Sequence, residues 1–152
     1  MHCDPNPPLT GDLLPLRRAF DYAALPAAVA TQAQAAAQRI RAHHQDQITA
    51  IIEIGHDLLV IKQQVKHGQF GAWLHAEFGM TERTAQNYMR AATAFGTKTA
   101  LISDLPPTAI YTLAAPSTPV PIKDAVVARL EAGERLEGAE IQALVREAHC
   151  LA

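Results

Sequence analysis

A group of polar side chains shortly after residue 80 has the residue types that read DNA. Arginine can pair bidentately with guanine, and Gln or Asn can pair with adenine. A Thr hydroxyl or the amides at a helix N-terminus can hold a phosphate. We predict base-edge contacts for Arg83, Gln86 and Asn87, and backbone contacts for Thr81 and Arg90, with Thr84 as a further phosphate ligand. The candidate DNA-binding residues are Thr81, Arg83, Thr84, Gln86, Asn87 and Arg90.

Two short helices must position these side chains, and the segment Gly71 to Arg90 has the pattern of a helix-turn-helix. Gly79 suits the left-handed backbone of the turn. Gln69 to Phe78 is predicted as the first helix, and Thr81 is a good N-cap for a second helix that Gly96 ends. The side chains expected to pack between the two helices are Leu74, Phe78, Met80, Ala85 and Tyr88.

One position departs from the usual motif. His75 stands four residues before the turn glycine, where packing normally requires Ala or Gly, and Ala76 comes one residue late. A different helix crossing would explain this departure. The alternative to a DNA-binding helix-turn-helix is an ordinary three-helix core whose polar face is only solvated. Phe70 and Trp73 stand at helical spacing beside Leu74, so we expect them in the core and not stacked on bases.

A long helix is predicted before this motif. Ala27 to Val65 contains no proline and one glycine, and it is dense in Ala, Gln, Leu and Ile. Its C-terminal half has apolar or tolerant residues at alternating spacings of three and four, from His44 to Val65. We expect that half to pack into its own domain, and an intermolecular coiled coil remains the alternative.

The remaining segments complete an all-α fold: a helical domain with a central helix-turn-helix, a long helix before it and a short helical segment after it. We expect an irregular or disordered arm over residues 1–25, a DNA-binding domain over 26–104 with its motif at 71–90, a Pro-rich linker with one small helix over 105–121, and a helical packing or oligomerisation element over 122–152. Five prolines mark the linker.

The formal net charge of −2 hides an uneven distribution. The segment from Val60 to Ala100 contains five basic residues and two acidic ones, whereas the segment from Val120 onward contains six acidic residues and four basic ones. A local basic patch is enough for phosphate contacts. The chain therefore predicts nucleic-acid contact at its middle and not at its C-terminal end.

Other chemistry has little support. Of the seven histidines, His43 and His44 are adjacent and point to different sides of a helix, and His56, His67 and His75 have no Cys or carboxylate at ligand spacing. Cys3 and Cys150 lie near opposite ends, so we expect no metal site and no disulfide framework. Glu53 and Asp57 lie one helical turn apart, which is more typical of a solvated face than of an acid/base pair. We expect no enzymatic activity, no cofactor and no small-molecule substrate. Without a signal peptide or a membrane span, a cytoplasmic protein is expected.

A combined motif gives a resemblance to a known family. Its main part consists of Gly55, Leu58-Leu59, Lys62, His67-Gly68, Phe70, Trp73-Leu74, Glu77-Phe78-Gly79-Met80, Arg83-Thr84-Ala85 and Tyr88-Met89. The downstream runs YTLAAPSTP and ARLEAGERL also resemble the family, so that the similarity extends over roughly residues 40 to 148. With these features the chain resembles a family of uncharacterised helical proteins of bacteria, phages and plasmids. The resemblance implies a regulator linked to a plasmid or another mobile element.

The function predicted from the sequence is therefore sequence-specific binding of double-stranded DNA, as a transcriptional regulator or a partition-type accessory factor. A homodimer is expected, since one such helix reads few base pairs and a two-fold operator doubles the contact. The alternative is a helical protein-interaction or assembly module that does not bind DNA.

Overall fold

A computed structural model of the protein describes residues 20–151, and every regular element in that range is helical. The predicted all-α class is therefore confirmed. Residues 1–19 of the predicted arm, Cys3 among them, lie outside the described residues; the last part of the arm contains a 3₁₀ turn at Tyr22–Ala24. The helices are α1 (Ala27–Gln64), α2 (Gln69–Phe78), α3 (Glu82–Phe95), α4 (Thr99–Ile102), α5 (Pro107–Ala114), α6 (Val120–Glu131) and α7 (Gly138–Leu151).

Helix α1 is divided into an exposed half and a buried half. It starts after Pro26, which needs no amide hydrogen bond at that position, and it ends where Val65 becomes extended. At 1.5 Å per residue its 38 residues span about 57 Å. No residue between 27 and 47 is buried, whereas the C-terminal half buries Ile48, Ile51, Ile52, Gly55 and Leu58. That half packs within its own domain as predicted, and the buried residues Ile48, Ile51, Gly55 and Leu58 belong to the seam that the coiled-coil alternative would have used.

The main core collects side chains from six of the helices. Ile48 of α1, Phe95 of α3 and Ile102 of the unpredicted helix α4 meet there. The Pro-rich segment contributes Leu105 and all the buried residues of α5, so it is a packed part of the molecule as well as a connection. The cluster comprises Ile48, Ile51, Ile52, Ala91, Phe95, Ile102, Leu105, Ala109, Ile110, Leu113, Ala114, Val126, Leu136 and Ile141.

A smaller second core holds α2 against α1 and α3. Its buried members are Leu58, Phe70, Leu74, Ala85 and Met89, with Trp73, Met80 and Tyr88 packed around them. Four of the five predicted packing residues (Leu74, Met80, Ala85 and Tyr88) belong to it.

The prediction for Phe78 is wrong. This side chain is 57% exposed, and its ring lies edge-on to Trp73 with the ring centroids 5.3 Å apart. Phe78 is the last residue of α2, and its side chain stays on the Trp73 side of that helix. Met80, just after the turn glycine, packs against the second core as predicted.

Candidate nucleic-acid interface

A three-residue turn, Gly79 to Thr81, joins α2 to α3. Gly79 has a φ of 61°, which is the left-handed conformation expected from the sequence. Its amide donates to the His75 carbonyl at 3.0 Å, and the Met80 amide donates to the Leu74 carbonyl at 3.2 Å. Carbonyls that a helix end leaves free are thus satisfied, and α3 begins after only three intervening residues.

Thr81 caps the N-terminus of α3. Its hydroxyl oxygen accepts a hydrogen bond from the Thr84 amide at 3.2 Å, and the two hydroxyl oxygens lie 3.1 Å apart. Glu82 follows in the first turn, where a carboxylate interacts favourably with the helix dipole. Both threonine side chains are exposed, so the cap leaves them accessible to an external phosphate.

The structure brings four of the six predicted contacts onto one side of α3. Arg83 and Gln86 are exposed, and Asn87 and Arg90 are half-buried. The spacings of three, four and seven residues place these side chains over one another along the helix. The Arg90 guanidinium donates to the Gln86 side-chain oxygen at 3.3 Å, which orients both groups toward the same surface.

The other two predicted contacts lie at the start of the helix. Thr81 precedes the first helical residue, and Thr84 precedes Tyr88 by four residues. Because residues four apart share a side of the helix, Thr84 lies above the packed side of α3 although it is exposed. The geometry thus separates a polar strip (Arg83, Gln86, Asn87 and Arg90) from a hydroxyl pair at the helix start.

The opposite side of α3 lies directly against α1. A β-carbon added to Gly55 would lie 2.6 Å from the Ala92 β-carbon and would also overlap the Tyr88 carbonyl. Ala92 itself is 1% exposed, and Ala85 and Ala91 are fully buried. Only a residue without a side chain fits at Gly55, so this crossing fixes which face of α3 remains open to solvent.

His75 does not disturb the packing of α2 against α3, because its side chain is exposed. Gly71, the first residue of the predicted motif, lies beside the exposed Glu82 side chain, and an added β-carbon would lie 3.2 Å from its carboxyl carbon. Because that side chain is flexible, it can move aside, and Gly71 is not required for a close contact between the two helices.

Two lysines that sequence reasoning left out stand beside the polar strip. Lys62 from α1 and Lys123 from the first turn of α6 line the same cleft as Gln86 and Arg90. Within residues 20–151, neither lysine forms an ion pair, and Arg83 and Arg90 form none either. Lys123 was counted with the acidic C-terminal segment, and only the folded chain places it next to α3.

Within residues 20–151, no group of three or more His, Cys, Asp or Glu side chains has a geometry that could hold a metal ion. The same part of the chain contains no helix long and apolar enough to cross a membrane.

Comparison with family profiles gives one match. Residues 26–112 match a family described as "Protein of unknown function (DUF3102)". The matched region starts at the residue before α1 and ends within α5, so it includes the α2–turn–α3 unit and leaves out α6 and α7. Neither the curated proteins nor the solved structures gave a match.

Proposed function

The chain belongs to the DUF3102 family of proteins of unknown function, and from the geometry of its α2–α3 unit we propose that it is a sequence-specific DNA-binding protein. The observation that carries the proposal is the two-sided character of α3. One side is closed against α1 through Gly55, and the other presents Arg83, Gln86 and Arg90 without a carboxylate partner among residues 20–151.

In this proposal α2, the turn and α3 act as a helix-turn-helix, and α3 enters the major groove. An α-helix fits that groove, and side chains on its outer face reach the base edges. Arg83, Gln86 and Asn87 read bases, while Thr81, Thr84 and Arg90 hold the phosphate backbone. The protein then works as a transcriptional regulator or a partition-type factor in the cytoplasm, with no enzymatic step of its own.

The proposal is tested by selection from a random duplex library with the purified chain, followed by anisotropy on the enriched sequence at several salt concentrations. We expect one enriched motif whose affinity falls as salt rises, because phosphate contacts release counterions. Replacing Arg83 or Gln86 with Ala should cost about 1–3 kcal/mol of binding free energy and relax specificity at one position of the motif.

Arg146→Ala is the matched control, because Arg146 is exposed on α7 and lies outside the α2–α3 unit. This variant should bind the selected sequence as the unmodified chain does. Normal binding by the Arg83→Ala and Gln86→Ala variants would remove the base-reading assignment. If no sequence is enriched and no salt-dependent binding is found, the proposal that the chain binds DNA is wrong.

The exposed half of α1 favours a second candidate function, a protein-interaction or assembly module. Residues 27–47 form more than five turns without one buried side chain, and Val29 and Ile40 are 45% and 66% exposed. If this half is the seam of the expected homodimer, Ile40→Asp should shift sedimentation to the monomer. If it instead binds another protein, the unmodified chain should sediment as a monomer and show no DNA binding.

A further inference from the structure

A cleft between α1, α3 and α6 combines an apolar floor with a basic rim. It has a volume of about 390 Å³, within the range of roughly 300–1,000 Å³ that ligand pockets occupy. Its floor is built from side chains of α1, α3 and α5, namely Leu59, Met89, Ala94 and Ala114. An apolar floor of this kind favours binding of the apolar part of a ligand, because its surface is then removed from water.

The rim carries three cations from three different helices. Lys62 comes from α1, Arg90 from α3 and Lys123 from α6. No Asp or Glu lines the cleft, and within the described part of the chain none of the three cations forms an ion pair. Arg90 and Lys123 are half-buried, so an anion between them would be partly shielded from water and bound more strongly than on an open surface.

We propose that this cleft binds an organic anion with an apolar body, whose acidic group lies between Arg90, Lys123 and Lys62. The chemistry matches on both counts: the guanidinium offers a bidentate fork to a carboxylate, sulfonate or phosphate, and the floor takes an aromatic or aliphatic body. Other ligand classes fit less well. A bare inorganic anion would leave the apolar floor exposed to water, and a neutral ligand would leave the three cations without a counter-charge.

The site also has a regulatory consequence, which rests on the proposed DNA binding. Gln86 and Arg90 line the cleft, and both belong to the predicted DNA-contacting strip. One Arg90 side chain cannot hold a phosphate of DNA and the anionic group of a ligand at the same time. The ligand therefore releases the protein from DNA, and DNA weakens the binding of the ligand by the same factor.

Binding is tested first without DNA, on the full chain, with two fluorescent probes that differ in charge. Anilinonaphthalene sulfonate has an aromatic body and one sulfonate, and N-phenylnaphthylamine has the same rings without it. We expect saturable binding of one sulfonate probe per chain, and at least tenfold weaker binding of the neutral probe. Equal affinities would mean an apolar patch only, and sulfate ion competing as well as the organic probe would exclude a role for the floor; either result overturns the proposal.

Variants then locate the probe. Lys123→Ala and Lys62→Ala should each weaken binding of the sulfonate probe about five- to tenfold, as loss of a charge-assisted hydrogen bond predicts. Lys123→Arg should restore the affinity, and Arg146→Ala should leave it unchanged. Lys62 is exposed, so its replacement does not threaten the fold, and thermal unfolding checks each variant. Unchanged affinity in both Ala variants would place the probe elsewhere and overturn the site.

Competition with DNA is the last step. With the sulfonate probe at ten times its dissociation constant, the apparent affinity for the selected duplex should fall about tenfold. If probe binding depends on the lysines but the probe leaves DNA affinity unchanged, the ligand site stands and its regulatory role is overturned. If the chain binds no DNA at all, the proposed function fails and the regulatory role fails with it, while the probe titrations still decide the cleft.

Discussion

Two surfaces of this molecule differ in whether their cations have carboxylate partners. On the C-terminal surface, formed by residues 129–134 together with Lys98, Arg129 pairs with Glu134 at 2.6 Å and Glu131 pairs with Lys98 at 3.5 Å. On the α3 surface, formed by the polar strip and the neighbouring cleft, Arg83, Arg90, Lys62 and Lys123 have no carboxylate partner within residues 20–151.

The difference shows why net charge is a poor guide to the function of this chain. Its overall charge of −2 averages a surface that neutralises its own cations and one that leaves them for an external anion. An exposed ion pair contributes little stability, about 0–1 kcal/mol, so the C-terminal pairs act mainly by cancelling the local field. Unpaired cations on the α3 surface keep that field and can attract a polyanion.

Gly55→Ala should have the largest effect on this comparison, because the α3 surface exists only while α3 is held closely against α1. The added methyl group overlaps the Tyr88 carbonyl and the Ala92 side chain, and overpacking of this kind costs about 2–3 kcal/mol. Urea unfolding should show that loss, and DNA affinity should fall with it as α3 shifts.

The sign of this result is informative. At an exposed helical site, exchange of Gly for Ala stabilises by about 1 kcal/mol, and Ala50→Gly on the exposed side of α1 should show the reverse effect. A more stable Gly55→Ala variant would mean that α1 and α3 are not in close contact.

Arg90→Ala and Arg129→Ala compare an unpaired arginine with a paired one. We expect Arg90→Ala to weaken binding of every DNA sequence about tenfold at low salt, and to reduce the slope of log affinity against log salt by about 1. Arg129→Ala should leave both quantities unchanged. Anisotropy titrations on one duplex measure the two variants side by side, and equal losses would end the distinction between the two surfaces.

Thr81 allows its capping role to be separated from its predicted role at a phosphate. Thr81→Ala removes the acceptor for the Thr84 amide and should cost about 1 kcal/mol of unfolding free energy. Thr81→Asp keeps a good cap, so its stability should match that of the unmodified chain, but its carboxylate should repel a phosphate. Normal DNA binding by Thr81→Asp would leave Thr81 as a helix cap only.

Much of the fold could be predicted from the sequence, because local signals agree with the packing. The bounds of α2 and α3 follow from Gly79, Thr81 and Gly96, and proline and glycine bracket α5 and α6 nearly as clearly. Helix α4 was missed, since four residues are too short for a periodic pattern. Its Ile102 is fully buried, so packing within the main core holds it in place.

The site was only partly predictable, and the reason is tertiary. Residues on one helix face, such as Arg83, Gln86 and Arg90, follow from helical spacing alone. Lys62 and Lys123 are 61 positions apart in the sequence and reach the same cleft from different helices, which no local pattern shows. The buried or exposed state of Phe78 depends likewise on where α2 ends relative to α3.

The smallest predicted effect concerns Tyr88 and Tyr111, which join the packed side of α3 to α5. Their rings meet edge-on with centroids 6.2 Å apart. Burial, the charge that Tyr88 would carry and a hydrogen bond with Tyr88 together raise the pKa of Tyr111 from 10.0 to about 12. The folded chain thus holds the phenol proton more tightly than the unfolded chain, so the contribution of Tyr111 to stability is complete below pH 10 and is lost as the pH rises toward 12.

Tyrosinate absorbance during an alkaline titration of the folded chain measures this directly. One late-ionising tyrosine should disappear in Tyr111→Phe. In Tyr88→Phe the pKa of Tyr111 should move down toward its usual value without reaching it, because burial is the largest of the three causes and remains. If a late-ionising group persists in Tyr111→Phe, the raised pKa belongs to another residue, and the interaction of Tyr111 with Tyr88 would not be its cause.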